Sequence, residues 1–182
     1  MNPKDILKLM KEKEIEFVDF RFTDPKGKLQ HLTMDATIVD DEMLEKGTFF
    51  DGSSIGGWKA INESDMILKP DLARAIIDPF NSHNTLNLFC DILDAVKKEP
   101  YERDPRSTAK KAEAYLKKMG IGDKAYFGPE PEFFTFDDVR FENKMNTSNF
   151  FIDSSEGPYN TGKKYENGNM GHRPGVKGGY FP

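Results

Sequence analysis

Apolar positions recur with two different periods along the first hundred residues. Pro3 suits the first turn of a helix, and Ile6, Leu7 and Met10, with lysines between them, form one apolar stripe. Residues 3–13 therefore predict a short amphipathic helix. Phe17-Val-Asp-Phe-Arg-Phe22 alternates with period two, the pattern of a half-buried strand. Thr23-Asp-Pro-Lys-Gly27 places Pro and Gly at turn positions, so Leu29 to Met34 returns as the second strand of a hairpin. Asp40 to Lys46 predicts a capped helix that stops at Gly47. Arg74 to Asp78 and Leu86 to Leu93 read as two further strands. A helix with about four strands makes a compact α+β unit.

The pattern then changes. Residues 97–106 are polar, carry two prolines, and read as a linker. Asp104 and Pro105 open a strong helix in which Ala109, Ala112, Tyr115, Leu116 and Met119 face one way, ending at Gly120. Residues 125–137 are aromatic and strand-like. From about residue 143 Asn, Gly, Lys and Ser dominate, which predicts a long functional loop or an incomplete domain. Gly178-Gly-Tyr-Phe-Pro182 closes on aromatic and Pro residues, as expected of a chain cut inside a domain.

Composition agrees with that expectation. Apolar residues make up 37% and charged residues 31%, so the core-forming share falls below the usual 45–50% or so. The net charge of −5 argues against general attraction to nucleic acid or anionic lipid. No segment of the sequence has the apolar length of a membrane span or a signal core, which predicts a soluble, cytoplasmic protein. Cys90 is the single cysteine and sits in an apolar run, where it reads as a small buried hydrophobe.

Three clusters carry candidate chemistry. In Tyr126-Phe-Gly-Pro-Glu-Pro-Glu-Phe-Phe134, strand alternation would point Glu130 and Glu132 to one face, roughly 6–7 Å apart. Two carboxylates so close repel unless a cation or proton lies between them, and oxygen ligands suit Mg2+ or Mn2+. Solvated Glu-Pro pairs are common, and that reading stands beside the metal one. In Phe49-Phe-Asp-Gly-Ser-Ser-Ile-Gly-Gly-Trp58, glycines permit an unusual loop that presents Asp51 as a cation-binding or proton-accepting group; the alternative is a surface Asx-turn. Residues 168–180 hold glycines and bases without the Gly-x4-Gly-Lys-Ser/Thr spacing of a phosphate loop, and His172 reads as structural.

Taken in order, these runs resemble one family. Val18-Asp-Phe-Arg-Phe-Thr-Asp24, Phe50-Asp-Gly-Ser-Ser-Ile55, Asn62-Glu-Ser-Asp-Met66, Asp104-Pro-Arg-Ser107, Phe127-Gly-Pro-Glu-Pro-Glu-Phe-Phe134 and Lys177-Gly-Gly-Tyr-Phe-Pro182 are similar to the amino-terminal part of type I bacterial glutamine synthetases. The resemblance implies an α+β fold: a β-grasp-like amino-terminal domain over residues 1–100, then the truncated start of the catalytic α/β domain over 105–182. It implies ATP-dependent ligation of ammonia to L-glutamate through γ-glutamyl phosphate, the reaction of nitrogen assimilation. By position Glu130 and Glu132 match two metal ligands of a site holding two Mg2+ or Mn2+ ions. Asp51 matches the aspartate that binds and deprotonates ammonium, with Ser54 and Tyr180 beside it in the ammonium pocket.

The resemblance further implies a homo-oligomer of two hexameric rings, a dodecamer whose active sites are shared between subunits, with the Asp51 loop reaching into a neighbour. The family's other metal ligands and the arginines that grip glutamate and phosphate lie beyond residue 182. The 182-residue chain is therefore expected to be inactive by itself. Two other readings stay open: a naturally short, non-catalytic module that docks on the full-length enzyme, and a different metal-dependent phosphotransferase.

Overall fold

In the computed structural model, strand β1 (Phe17–Thr23) buries Val18, Phe20 and Phe22 and turns Asp19 and Arg21 to the other side. Two faces of one strand thus acquire different work, as the period of two requires. The structure describes residues 1–58, 60, 64–154 and 160–166. They fall into two compact units, Met1–Ala125 and Tyr126–Pro182, each taken by itself below.

The first unit is a five-stranded mixed sheet with strand order β2-β1-β5-β4-β3. β1 pairs antiparallel with β2 (Leu29–Asp35) and parallel with β5 (Thr85–Asp94). β4 (Asp65–Ile77) lies antiparallel to β5 and carries β3 (Thr48–Asp51) on its far edge. The β4–β5 register shifts between Pro70 and Ala75, where the missing proline N–H would otherwise break the ladder.

Helices α1 (Pro3–Glu12) and α2 (Asp41–Lys46) contribute to one face. Asn2 and Asp5 form a reciprocal capping box on α1, with N–H···O distances of 2.9 and 3.0 Å. Ile6 and Met10, one turn apart, enter the core with Leu44 of α2. They meet Val18 and Phe20 of β1 and the alternate residues Leu86, Leu88, Cys90 and Ile92 of β5. Each such side chain contributes roughly 1.5–3 kcal/mol when fully buried. Gly47 ends α2 at φ +88°, and a Cβ there would lie 2.4 Å from the Leu68 carbonyl oxygen. Helix and strand approach too closely for any other residue.

Helix α3 (Pro105–Lys118) is fastened by its first turn. The buried Asp104 carboxylate accepts from the Arg106 and Ser107 amides, the Ser107 hydroxyl and the Ile92 amide of β5. Arg106 then reaches Asp91 at 3.0 Å and Asp71 at 2.6 Å. The expected apolar stripe is otherwise open: Tyr115 and Met119 are more than half exposed.

Two expectations are corrected in the second unit. Residues 126–137, within the stretch 125–137 expected to be strand-like, form no strand, because Pro129 and Pro131 remove alternate donors and no neighbouring strand pairs with them among the described residues. Past residue 143, where a long loop or an incomplete domain was expected, regular structure continues. β6 (Asp138–Lys144) and β7 (Thr147–Asp153) pair as an antiparallel hairpin across the two-residue turn Met145-Asn146. Phe141 stands opposite Phe150, Val139 opposite Ile152, and the Arg140 guanidinium lies 4.3 Å from the Phe151 ring centroid. The polar residues around it had masked this alternation. The buried Asp153 at the end of β7 accepts from the Thr161 amide at 3.0 Å and the Tyr165 hydroxyl at 2.6 Å, which pushes the tyrosine up to about 12.

Candidate functional site

Asp51 ends β3 opposite Asp65 and starts a single 3-10 turn, Gly52–Ser54. Its Oδ1 accepts from the Ser53 amide at 2.8 Å and the Ser53 hydroxyl at 2.6 Å. These bonds hold the exposed carboxyl below its usual range, the hydroxyl contributing first, so the group is an anion at neutral pH. The surface Asx-turn, which stood as the alternative to a functional Asp51, is present, and it leaves the carboxylate exposed. Ser54 is exposed one turn further on.

The base of the loop is aromatic. Phe50 turns inward from β3, its ring centroid 5.3 Å from Phe22 and 6.1 Å from Trp58. Trp58 packs edge-on against Tyr101 at 5.8 Å. Gly52 lies against Met66, where a Cβ would meet Sδ at 2.2 Å, and its amide donates to the Ser64 carbonyl at 2.7 Å. The sheet thereby sets the position from which Asp51 projects.

Glu130 and Glu132 are both exposed in the irregular segment of the second unit. Strand alternation therefore does not fix their directions. Their donor chemistry fits a hard divalent cation, but among the described residues no group of three His, Cys, Asp or Glu side chains comes together as a metal site. Tyr180 and His172 lie outside the described residues. Cys90 is fully buried, its thiol pushed up by burial, consistent with a packing role.

A polar cluster on the open face of the sheet escaped sequence reasoning. Asp19 accepts from Arg21 Nε and the Thr33 hydroxyl, each at 2.7 Å, and touches His31 Nδ1 at 2.7 Å. Burial works to raise this carboxyl, and the three partners, Arg21 foremost, outweigh it and hold it low. The group lines a cleft of about 320 Å3 together with Phe17, Thr85 and His83. The only signal in the sequence was the period-two placement of Asp19 and Arg21 beside buried neighbours.

Comparison with known proteins bears on the same residues. Residues 14–95 match the family model described as glutamine synthetase, beta-Grasp domain, and residues 102–182 match glutamine synthetase, catalytic domain. The chain is 61% identical to a glutamine synthetase of Rhizobium meliloti, over 98% of this chain and 38% of that protein. It is 58% identical to one from Methylococcus capsulatus, over 100% of this chain and 39% of that protein. Among solved structures, a Plasmodium falciparum glutamine synthetase superposes with a TM-score of 0.63 at 24% identity, covering 86% of this chain and 30% of that one, a likeness of fold. The chain spans well under half the length of these relatives. With both domain models matched in order and the mixed sheet in place, the chain belongs to the glutamine synthetase family.

Proposed function

We propose that these residues are the amino-terminal part of an enzyme that joins ammonia to L-glutamate at the expense of ATP. The observation that carries this reading is the end-to-end match to the two domains of glutamine synthetases, in their order. In the first step the glutamate side-chain carboxylate attacks the terminal phosphorus of ATP, giving γ-glutamyl phosphate and ADP. In the second, ammonia displaces phosphate, leaving glutamine, and the surplus proton goes to a base.

Asp51 is assigned the ammonium end of this chemistry. Its anionic, outward-held carboxylate attracts NH4+, orients it and helps take its proton, with Ser54 and Tyr180 as neighbours in the pocket. Glu130 and Glu132 are assigned as two of the ligands for Mg2+ or Mn2+. When bound, such ions neutralise charge on the transferring phosphoryl group. The proposed setting is a cytoplasmic homo-oligomer of two hexameric rings with sites shared between subunits. Among the described residues no helix is long and apolar enough to cross a membrane. The proposed domain division is 1–100 and 105–182; the family matches cover residues 14–95 and 102–182, and helix α3 clusters with the first unit.

The test is glutamine formation from glutamate, ammonia, ATP and Mg2+ by the full-length chain, with phosphate released in equal amount. Phosphate release without glutamine, answering to a different acceptor, would overturn the reading. The 182-residue chain is expected to show no metal-dependent γ-glutamyl transfer, since it offers only part of the ligand set.

A further inference from the structure

The loop that presents Asp51 is held at two places, and in different ways. The first is built into the sheet through the β3–β4 ladder and the Gly52–Ser64 hydrogen bond. The second, Gly57-Trp58, lies outside any ladder, with Gly57 at φ +89°. Its carbonyls are gripped from a distant part of the chain. The Tyr101 hydroxyl donates to the Trp58 carbonyl at 2.9 Å. Arg103 Nη1 donates to the Gly57 carbonyl at 2.7 Å and the Trp58 carbonyl at 3.3 Å. The Trp58 indole is 5% exposed and its Nε1 finds no acceptor among the described residues. Aromatic packing thus holds the ring, while the main chain here is fastened through the two carbonyls and through the Trp58 amide, which donates to the Ile55 carbonyl at 3.2 Å.

We propose that Tyr101 and Arg103 are positioning residues for Asp51, fixing the Gly57-Trp58 segment of its loop and so adding to the hold of the sheet on the place from which the carboxylate projects. The proposal rests on the assignment of Asp51 to ammonium. Arg103 is exposed, so its hydrogen bonds to the carbonyls replace bonds to water and their net contribution to stability is modest. Its geometric consequence is larger, because displacing a binding group by even about 1 Å can cost roughly a hundredfold in rate. The two donors come from the segment between β5 and α3, the junction of the two family domains. The ammonium loop is therefore tied to the stretch of chain that leads into the catalytic domain.

The test uses the full-length synthetase with Arg103→Ala, Arg103→Lys, Tyr101→Phe and, for reference, Asp51→Asn. Arg103→Ala is expected to raise KM for ammonia about tenfold while KM for glutamate and ATP and the melting temperature stay unchanged. Arg103→Lys restores most of the loss, since one donor suffices. Tyr101→Phe, which removes only a hydroxyl, gives a smaller rise in the ammonia KM. If Arg103→Ala fails to assemble, Tyr101→Phe decides. An unchanged ammonia KM in these variants, while Asp51→Asn raises it, overturns the positioning role alone. Uniform loss for all substrates with a lowered melting temperature does the same. Unchanged ammonia use in Asp51→Asn overturns the underlying assignment instead, and the positioning role with it.

Discussion

Arg21 of β1 donates from Nη2 to Asp78 Oδ2 at 2.8 Å, bridging over β5 to the residue that follows β4. The same carboxylate accepts from Asn87 at 2.9 Å and, through Oδ1, from the Phe80 amide at 2.9 Å. Three segments of the sheet's open face thus meet on one anion.

A pH dependence follows. The Asn87 and Phe80 hydrogen bonds, with Arg21, hold Asp78 down to about 2. The folded value lies below the unfolded one, so the stabilisation is complete above about pH 4 and disappears as pH falls through about 2. Urea unfolding of the wild type and Asp78→Asn should differ most at neutral pH. The two curves should converge as pH approaches 2; a gap that persists there would remove Asp78 from the account of acid sensitivity.

Gly47 offers a backbone test. Alanine at this position must adopt φ +88° and place Cβ 2.4 Å from a main-chain oxygen that cannot swing aside. The expected loss is roughly 2–4 kcal/mol, combining strain and overpacking. Chemical denaturation followed by circular dichroism measures it, and a loss under about 0.5 kcal/mol would contradict the close approach of α2 and β4.

Asp104 is the fastening of α3. Substitution by alanine strands the Ile92 amide in the interior and removes the helix cap together. We expect a cost of about 2–3 kcal/mol, with Asp104→Asn losing less because one acceptor oxygen remains. Equal costs for the two variants would show that charge, not the acceptor geometry, matters there.

Metal binding by the 182-residue chain should be weak. Glu130 and Glu132 without further ligands predict that millimolar Mn2+ shifts the melting temperature by no more than about 1 °C. A shift of several degrees, abolished by Glu130→Gln or Glu132→Gln, would mean a fuller ligand set within these residues.

What could be read from the sequence was what depends on near neighbours. The stripes of α1 and β1, the Asp40 and Asp104 caps and the stop at Gly47 are each determined within a few residues. β3 is only four residues long and merged with the glycine loop after it. The first half of β4 was hidden by Pro70, tolerated at the register shift. Residues 125–137 read as strand-like but have no partner strand among the described residues, and pairing cannot be seen in a one-dimensional pattern. At the site, the Asp51 loop announced itself through Asp, Ser and Gly close together. Its anchors did not, because Tyr101 and Arg103 are more than forty residues away and looked like linker.

The parallel pairing of β1 with β5 also bears on how the chain reaches this state. The β1–β2 hairpin and the β4–β5 pair are made from neighbouring segments, so each can form early. Phe17 meeting Thr85 joins strands that lie far apart in the sequence. The core closes only at that encounter, and folding is expected to be limited by this search, with the two hairpins already in place when the central seam zips.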